Sequence, residues 1–304
     1  LVSIAILDAQ QDWRQYEVSS VRFEGNETLR DDLLMSVVLT QETPAGFWKF
    51  LYRISEKLGD PPKYFDPLVF ELDYRRLRTF YQDQGFFLSR IDTLMQVDQD
   101  DKTIRLTFRI EEGPRSYVDT IQFVGFEHLP SVLVDEVELN PLVRVGDPYI
   151  AEHVVSERAR ILNTFFNNGF ADVRVDSVVA HRYASTNNIK LIFAFSRGRR
   201  YSFGDITVEQ DSTVRERVAD DVVRRHLDFR RGDFYSEARR IESERNLNRL
   251  GVFEASRVEP LVSLKSDTSL EIPTHVFVRP RPFQELVPEI GVNDENNAFN
   301  VLFA

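Results

Sequence analysis

The stretch FYQDQGFF (Phe80–Phe87) closes an amphipathic segment and opens an alternating one, with Gly85 at the junction. A close relative returns as FFNNGFAD (Phe165–Asp172), and a looser one as LNRLGVFE (Leu247–Glu254). Glycine just past a helix takes a left-handed conformation that other residues resist, so each junction reads as a helix exit turning into a strand. Gly85, Gly169 and Gly251 lie 84 and 82 residues apart. A period this long predicts tandem domains, because solenoid repeats run ~20–50 residues.

Upstream of the first exit, Phe70, Leu77 and Tyr81 share one helical stripe, and the same stripe returns as Val154, Ile161 and Phe165. In the third copy Ile241 and Leu247 remain, but Ser243 stands eight residues before the glycine, where the other copies are apolar. Asp66 is placed to cap the first of these helices, with Pro67 at its first position. A second shared mark precedes each helix: LGDPP (Leu58–Pro62), VGDPY (Val145–Tyr149) and RGDFY (Arg231–Tyr235). The glycines of these marks lie 26, 23 and 19 residues before the exit glycine. Each difference is about one helical turn, so the helix is expected to shorten by a turn from copy to copy.

Further upstream come second helical segments at Leu29–Leu39, Pro130–Leu139 and Val214–Leu227, each preceded by a short strand at Val18–Phe23, Val118–Gly125 and Phe203–Gln210. Two strands follow each exit. The first set is Phe86–Asp98, Phe170–His181 and Val252–Ser263; the second is Thr103–Gly113, Ile189–Gly198 and Thr274–Pro280. In the second set Ile104, Leu106, Phe108 and Ile110 alternate onto one face, as do Ile189, Leu191, Phe193 and Phe195. Pro273 conflicts with a central strand there, which sets the expected start at Thr274. The fold class is therefore α+β: three tandem β-α-α-β-β modules, each a three-stranded mixed sheet with two helices on one face.

Composition narrows the functions. The chain has 304 residues, 42% apolar and 29% charged, which is globular. A net charge of −11 argues against general nucleic-acid binding, and the basic runs at Arg197–Arg200 and Arg224–Arg231 sit among acids. There is no cysteine, so no disulfide or thiolate site. The five histidines, His128, His153, His181, His226 and His275, stand singly with no metal-binding spacing. No nucleophile elbow, phosphate loop or dinucleotide fingerprint occurs. Acid pairs such as Asp31/Asp32 and Glu111/Glu112 read as solvated. The expectation is a non-enzyme without cofactor or metal.

The β-α-α-β-β order, the exit Tyr81–Phe86 and the strand ending in Glu112-Gly113-Pro114 resemble POTRA domains, the modules of BamA/TamA-type outer-membrane assembly proteins. The exit is similar to the family's Tyr-x-x-x-Gly-aromatic element; Phe165–Phe170 matches it with Phe for Tyr, while the third copy has Leu247 and Val252 instead. The resemblance covers about Tyr16–Pro282 and is carried by three matches in register. It implies boundaries at 1–15 (leader or N-terminal extension), 16–115, 116–199 and 200–282, with 283–304 beginning an outer-membrane β-barrel. Three modules resemble the TamA-type arrangement more than a five-module one.

The resemblance also implies a role at the periplasmic face of the outer membrane. The partners would be unfolded outer-membrane proteins, periplasmic or inner-membrane accessory proteins, and the chain's own barrel. In such a fold the last strand is central and the second strand is an open edge, whose unpaired backbone groups can accept a client strand. The expected edge is Ala171–Val179, with Val173, Val175 and Val179 inward and Asp172, Arg174 and Asp176 outward. Pro260 discourages pairing at the third module's edge. Surplus residues in the first module, Gly46–Gly59, carry Trp48 and Tyr52, which leaves two roles open: a lid on that module, or a docking surface for a partner or membrane interface. A structural spacer and the recognition arm of a secretion pore remain as alternative functions.

Overall fold

The computed structural model describes residues 12–44, 61–215, 217–265 and 268–281, together with the backbone of 289–291 and 300–302. Gly46–Gly59, including Trp48 and Tyr52, and residues 1–11 lie outside the described residues. The first repeat runs β1 (Glu17–Glu24), α1 (Asp31–Val37), α2 (Pro67–Asp83), β2 (Arg90–Asp98) and β3 (Thr103–Glu111). The second runs β4 (Val118–Val124), α3 (Ser131–Glu138), α4 (Ala151–Asn167), β5 (Arg174–Arg182) and β6 (Ile189–Ser196). The third runs β7 (Ser202–Gln210), α5 (Asp220–Arg225), α6 (Glu237–Arg249), β8 (Phe253–Pro260) and β9 (Glu271–Pro280). The sheets have orders β1-β3-β2, β4-β6-β5 and β7-β9-β8, so the last strand of each repeat is central. Its pairing is parallel to the first strand and antiparallel to the second, as the first and third repeats show. A short antiparallel pair, β10 (Glu289–Gly291) with β11 (Asn300–Leu302), lies in the C-terminal stretch.

Contacts group the chain into two units. One comprises Leu1–Phe123, Pro141–Arg158 and Val178–Phe193; the other comprises Val124–Asn140, Ala159–Ser177 and Ala194–Ala304. In the first unit the alternating face of β3 (Ile104, Leu106, Phe108, Ile110) is buried beneath Leu34 of α1 and the Leu77 and Tyr81 stripe of α2. Asp66 caps α2 by accepting from the Leu68 and Val69 amides, with Pro67 at the first helical position. Trp13 joins this core beside Tyr16 and Phe65. In the second unit Val223 and Leu247 cover Val276 and Val278 of β9.

The exits answer why the junction recurs. Gly85 has φ +89° and Gly169 φ +97°, which favours glycine at both. The amides of Phe86 and Phe170 bond back to the carbonyls of Tyr81 and Phe165, and each pair of rings meets edge to face, at 5.8 and 5.6 Å. Each glycine also receives the start of the next repeat. The Gly85 carbonyl accepts from the Ser116 amide at 2.9 Å, and that of Gly169 from the Tyr201 amide at 2.8 Å. A Cβ on Gly85 would come within 2.8 Å of the Tyr149 carbonyl; one on Gly169 would meet Arg200 Cγ at 2.7 Å and the Tyr201 carbonyl at 2.9 Å. Around Gly251 that space is open.

Several expectations change. Of the shared marks, Gly146 and Gly232 hold equivalent places, but the first repeat's counterpart is Pro62 rather than Gly59. Lys63, Asp147 and Asp233 have the same role, each carbonyl accepting from the second residue of the repeat's first strand or its neighbour: Val18, Val118 and Phe203. From that register α2 and α4 are equally long, at 17 residues each, and only α6 loses a turn, at 13. Counted from the helix start, Ser243 corresponds to Asp73 and Glu157 rather than to an apolar residue. All three are buried and hold the chain leaving the repeat's first helix. Asp73 accepts from the Leu39 and Thr40 amides, both at 2.8 Å, Glu157 from the Leu142 amide at 2.9 Å, and Ser243 from the Asp228 amide at 2.7 Å.

The helix expected over Val214–Leu227 spans only Asp220–Arg225, because the Gln210 side-chain amide clasps both the N–H and C=O of Val218. The central strand of the third repeat starts at Glu271, before Pro273. The partner strand slips by one residue between Phe203 and Ile206, so the missing Pro273 N–H falls at an irregular pairing, and its carbonyl accepts from Leu261.

Glu112 is not solvated. It is 8% exposed, and its carboxylate accepts from the Thr28 amide at 3.0 Å and the Leu29 amide at 3.2 Å, with Tyr81 Oη at 3.4 Å. Burial, followed by the Glu112 charge, pushes the Tyr81 phenol well above its ordinary value. Where Phe165 replaces tyrosine, Arg197 stands before Gly198 and no carboxylate is needed.

Two outcomes follow from these contacts. Glu112→Ala strands two amides and a phenol, and should cost about 2–3 kcal/mol, against about 1 kcal/mol for Tyr81→Phe. Trp13 packs on the first repeat's core and Trp48, the other tryptophan, lies within that repeat's sequence, so tryptophan emission during urea unfolding measures this directly. Gly251→Ala should pay only the left-handed backbone cost of about 1–2 kcal/mol, whereas Gly169→Ala should also release the Tyr201 amide. Faster hydrogen exchange at Tyr201 in the second variant alone is the expected reading.

Candidate strand-addition edges

Each sheet has two outer strands, and they differ in cover. Along the first strands the segment entering the second helix adds an isolated bridge: Glu17 with Tyr64, Tyr117 with Pro148 and Ser202 with Phe234. Val118 and Phe203 have both N–H and C=O taken this way, by Asp147 and Gly146 and by Asp233 and Gly232. Val18 is held likewise by Lys63 and Thr43. The second strands, β2, β5 and β8, lie at the other end of each sheet, with no strand beyond them among the described residues. Backbone groups there are the natural place for an added strand.

The residues expected to form the β5 edge are placed as follows. The strand begins at Arg174, so Asp172 and Val173 lie in the turn before it. Val173 is buried, Val175 half-buried, and Arg174 and Asp176 are exposed. Val179 is exposed rather than inward, following the consecutive exposed pair Asp176 and Ser177, while Val178 is half-buried. The Asp176 carboxylate accepts from Ser196 Oγ at 2.6 Å. Asp172 is not free, since Lys265 Nζ meets it at 2.8 Å, with both side chains about three-quarters covered, at 27% and 28% exposure. Lys265 also lies 5.7 Å from the Tyr201 ring centroid. A hollow of ≈ 610 Å³ at this end is lined by Ala171, Asp172, Val173, Arg174, Gly198 and Lys265, among others. The accessible edge thus centres on Arg174–Asp176. Trp48 and Tyr52 cannot be assigned to it, being outside the described residues.

Sequence reasoning missed Lys265 and Asn167. Asn167 ends α4, and its Oδ1 accepts from the Ala238 amide at 2.8 Å and Ser236 Oγ at 3.2 Å at the start of α6. Arg200, next to the Gly169 contact, lies 3.5 Å over the Phe234 ring. These residues join the second repeat's exit to the third repeat, and their partners are too distant in sequence to be read from local pattern. Among the described residues no group of acidic and histidine side chains could hold a metal ion, and no helix is long and apolar enough to cross a membrane.

This geometry can be set beside known proteins. The POTRA family, described as surface antigen variable number repeat, matches residues 16–113 and 201–281. The chain belongs to the POTRA family. It is 24% identical over 239 residues to the outer membrane protein assembly factor BamA of Neisseria meningitidis, covering 78% of this chain and 28% of that protein. A putative outer membrane protein assembly factor of Treponema pallidum is 22% identical over 300 residues, covering 96% of this chain and 31% of that protein. This chain therefore spans less than a third of the length of these relatives. Among solved structures, POTRA domains 3–5 of Haemophilus influenzae BamA align with a TM-score of 0.47 at 16% identity, over 87% of this chain and 96% of that one.

The Asp172–Lys265 pair carries a measurable expectation. A double-mutant cycle with Asp172→Asn and Lys265→Met should give a coupling of about 0.5–1 kcal/mol that shrinks with added salt, because the pair is only partly screened from solvent.

Proposed function

We propose that this chain is the periplasmic POTRA region of an outer-membrane protein assembly factor, and that it receives extended segments of unfolded outer-membrane proteins by strand addition along β5. The observation that carries this reading is the uneven cover of the sheet borders. First strands are bridged by the chain's own entering segment, whereas β5 presents Arg174–Asp176 at an outer position. Membership of the POTRA family and similarity to proteins named assembly factors support the cellular setting.

Backbone pairing reads strand shape rather than side chains, which suits a receptor for many β-rich clients. Each added hydrogen bond contributes about 0.5–1.5 kcal/mol, and ordering the client offsets much of it. The affinity should be weak, on the order of tens of micromolar. The accessory proteins and the chain's own barrel, which the 283–304 stretch would begin, belong to the same proposal.

Photoreactive residues at Arg174 and Asp176 in the 304-residue chain test it. Crosslinks to a denatured outer-membrane barrel protein, competed by an unlabelled strand peptide, are expected. Capture of folded accessory proteins alone would leave the chain as a spacer and refute client reception.

A further inference from the structure

The third repeat's outer border differs from the second's in a way that bears on where a client can pair. At the middle of β8, Val258 is 1% exposed and pairs across to Val276 of β9. Its N–H donates to the Glu244 carboxylate at 3.2 Å, and its C=O accepts from Arg240 Nη1, also at 3.2 Å. Both side chains come from α6. They are locked to each other, Arg240 Nη1 to Glu244 at 3.2 Å, and Arg240 Nε is held by Glu237 at 2.8 Å. Glu237 in turn accepts from Tyr235 Oη at 2.7 Å. A carboxylate acceptor and a guanidinium donor thus supply the two bonds that an added strand would offer at this residue. Two residues on, Pro260 has no N–H to give. Two residues back, Ser256 Oγ is tied to Asn248 Oδ1 at 2.7 Å.

We propose that Arg240 and Glu244 form a guard on β8: a side-chain clasp that imitates a neighbouring strand and closes this border to strand addition, leaving it to the repeats without the clasp. The clasp spans a groove of ≈ 760 Å³ between α6 and β8, so it occupies a place roomy enough for an extended peptide. The device belongs to the third copy alone. Counted from the helix start, Glu244 is replaced by Arg158 in the second repeat and Tyr74 in the first, and counted from the exit glycine by Leu162 and Arg78; none of these carries a carboxylate. Proteins blunt exposed strand borders with charged side chains, and here the charges engage the backbone itself. The inference rests on strand addition as the mode of client binding.

The test uses the 304-residue chain and a peptide of about ten residues with alternating apolar and polar side chains, the length of one barrel strand. Photoreactive labels are placed separately at Arg174 and Arg257. The wild-type chain is expected to capture the peptide at Arg174 and not at Arg257. Glu244→Leu, which removes the carboxylate, should gain capture at Arg257 without losing it at Arg174, and should speed hydrogen exchange at the Val258 amide about tenfold. Glu244→Gln keeps a carbonyl acceptor and should stay closed. An unchanged circular dichroism spectrum establishes that each variant is folded. Capture at Arg257 in the wild type, or none in a folded Glu244→Leu chain that still captures at Arg174, overturns the guard. Absence of capture at both labels in every chain refutes strand addition itself, and the guard with it.

Discussion

The residue just past a helix carries a carbonyl that lies outside the helical ladder, and this chain uses that carbonyl twice to connect its repeats. The carbonyls of Gly85 and Gly169 accept the Ser116 and Tyr201 amides, just before the first strands of the following repeats. The left-handed turn aims the carbonyl, and the missing side chain lets the next backbone approach. A bulkier residue would fail on both counts. The exit is thus a joint as well as a terminator, which is why its shape is preserved where a repeat follows. At Gly251 the surrounding space is open, and the aromatic pair gives way to Leu247 and Val252.

A second constraint lies inside each repeat. The first helices are short, with seven, eight and six residues, too short to hold themselves by hydrogen bonding alone. The chain leaving them is pinned by one buried polar side chain from the second helix, Asp73, Glu157 or Ser243. Desolvating these groups is costly, and the backbone amides they accept offset that cost. The Asp73 carboxylate receives the Leu39 and Thr40 amides and the Arg76 guanidinium, the last at 2.7 Å. Loss of such a group would leave these partly or fully buried amides without their protein acceptor. The two helices therefore pack as a polar lock within an apolar layer.

The element order and central-strand faces were legible because they rest on periodicity, which survives in each copy. Ile104 to Ile110 and Ile189 to Phe195 alternate without interruption, and Leu77 and Ile161 mark the same stripe. What escaped was polar and long-range. Glu112 looks like one of a solvated pair until its strand is set against Thr28, 84 residues earlier. Ser243 looks like a flaw in an apolar stripe when counted from the wrong end of a helix that has lost a turn. Gln210 shortens α5 through a side chain eight residues away, which no helical pattern records. On β5 the inward phase was right as far as Val175 and wrong at Val179, because two consecutive exposed residues break a period of two.

The same contrast bears on the sheet borders. A strand border is reactive because its backbone groups are unsatisfied, so its behaviour depends on what else in the fold can reach them. The acids at and just before the border strand β5 take side-chain partners: Asp176 accepts from Ser196 and Asp172 pairs with Lys265. Charge on the neighbouring helix is different, since Arg240 and Glu244 reach the N–H and C=O of Val258 themselves. Two borders with similar sequences can therefore differ in availability, and the difference is written on the helix rather than on the strand.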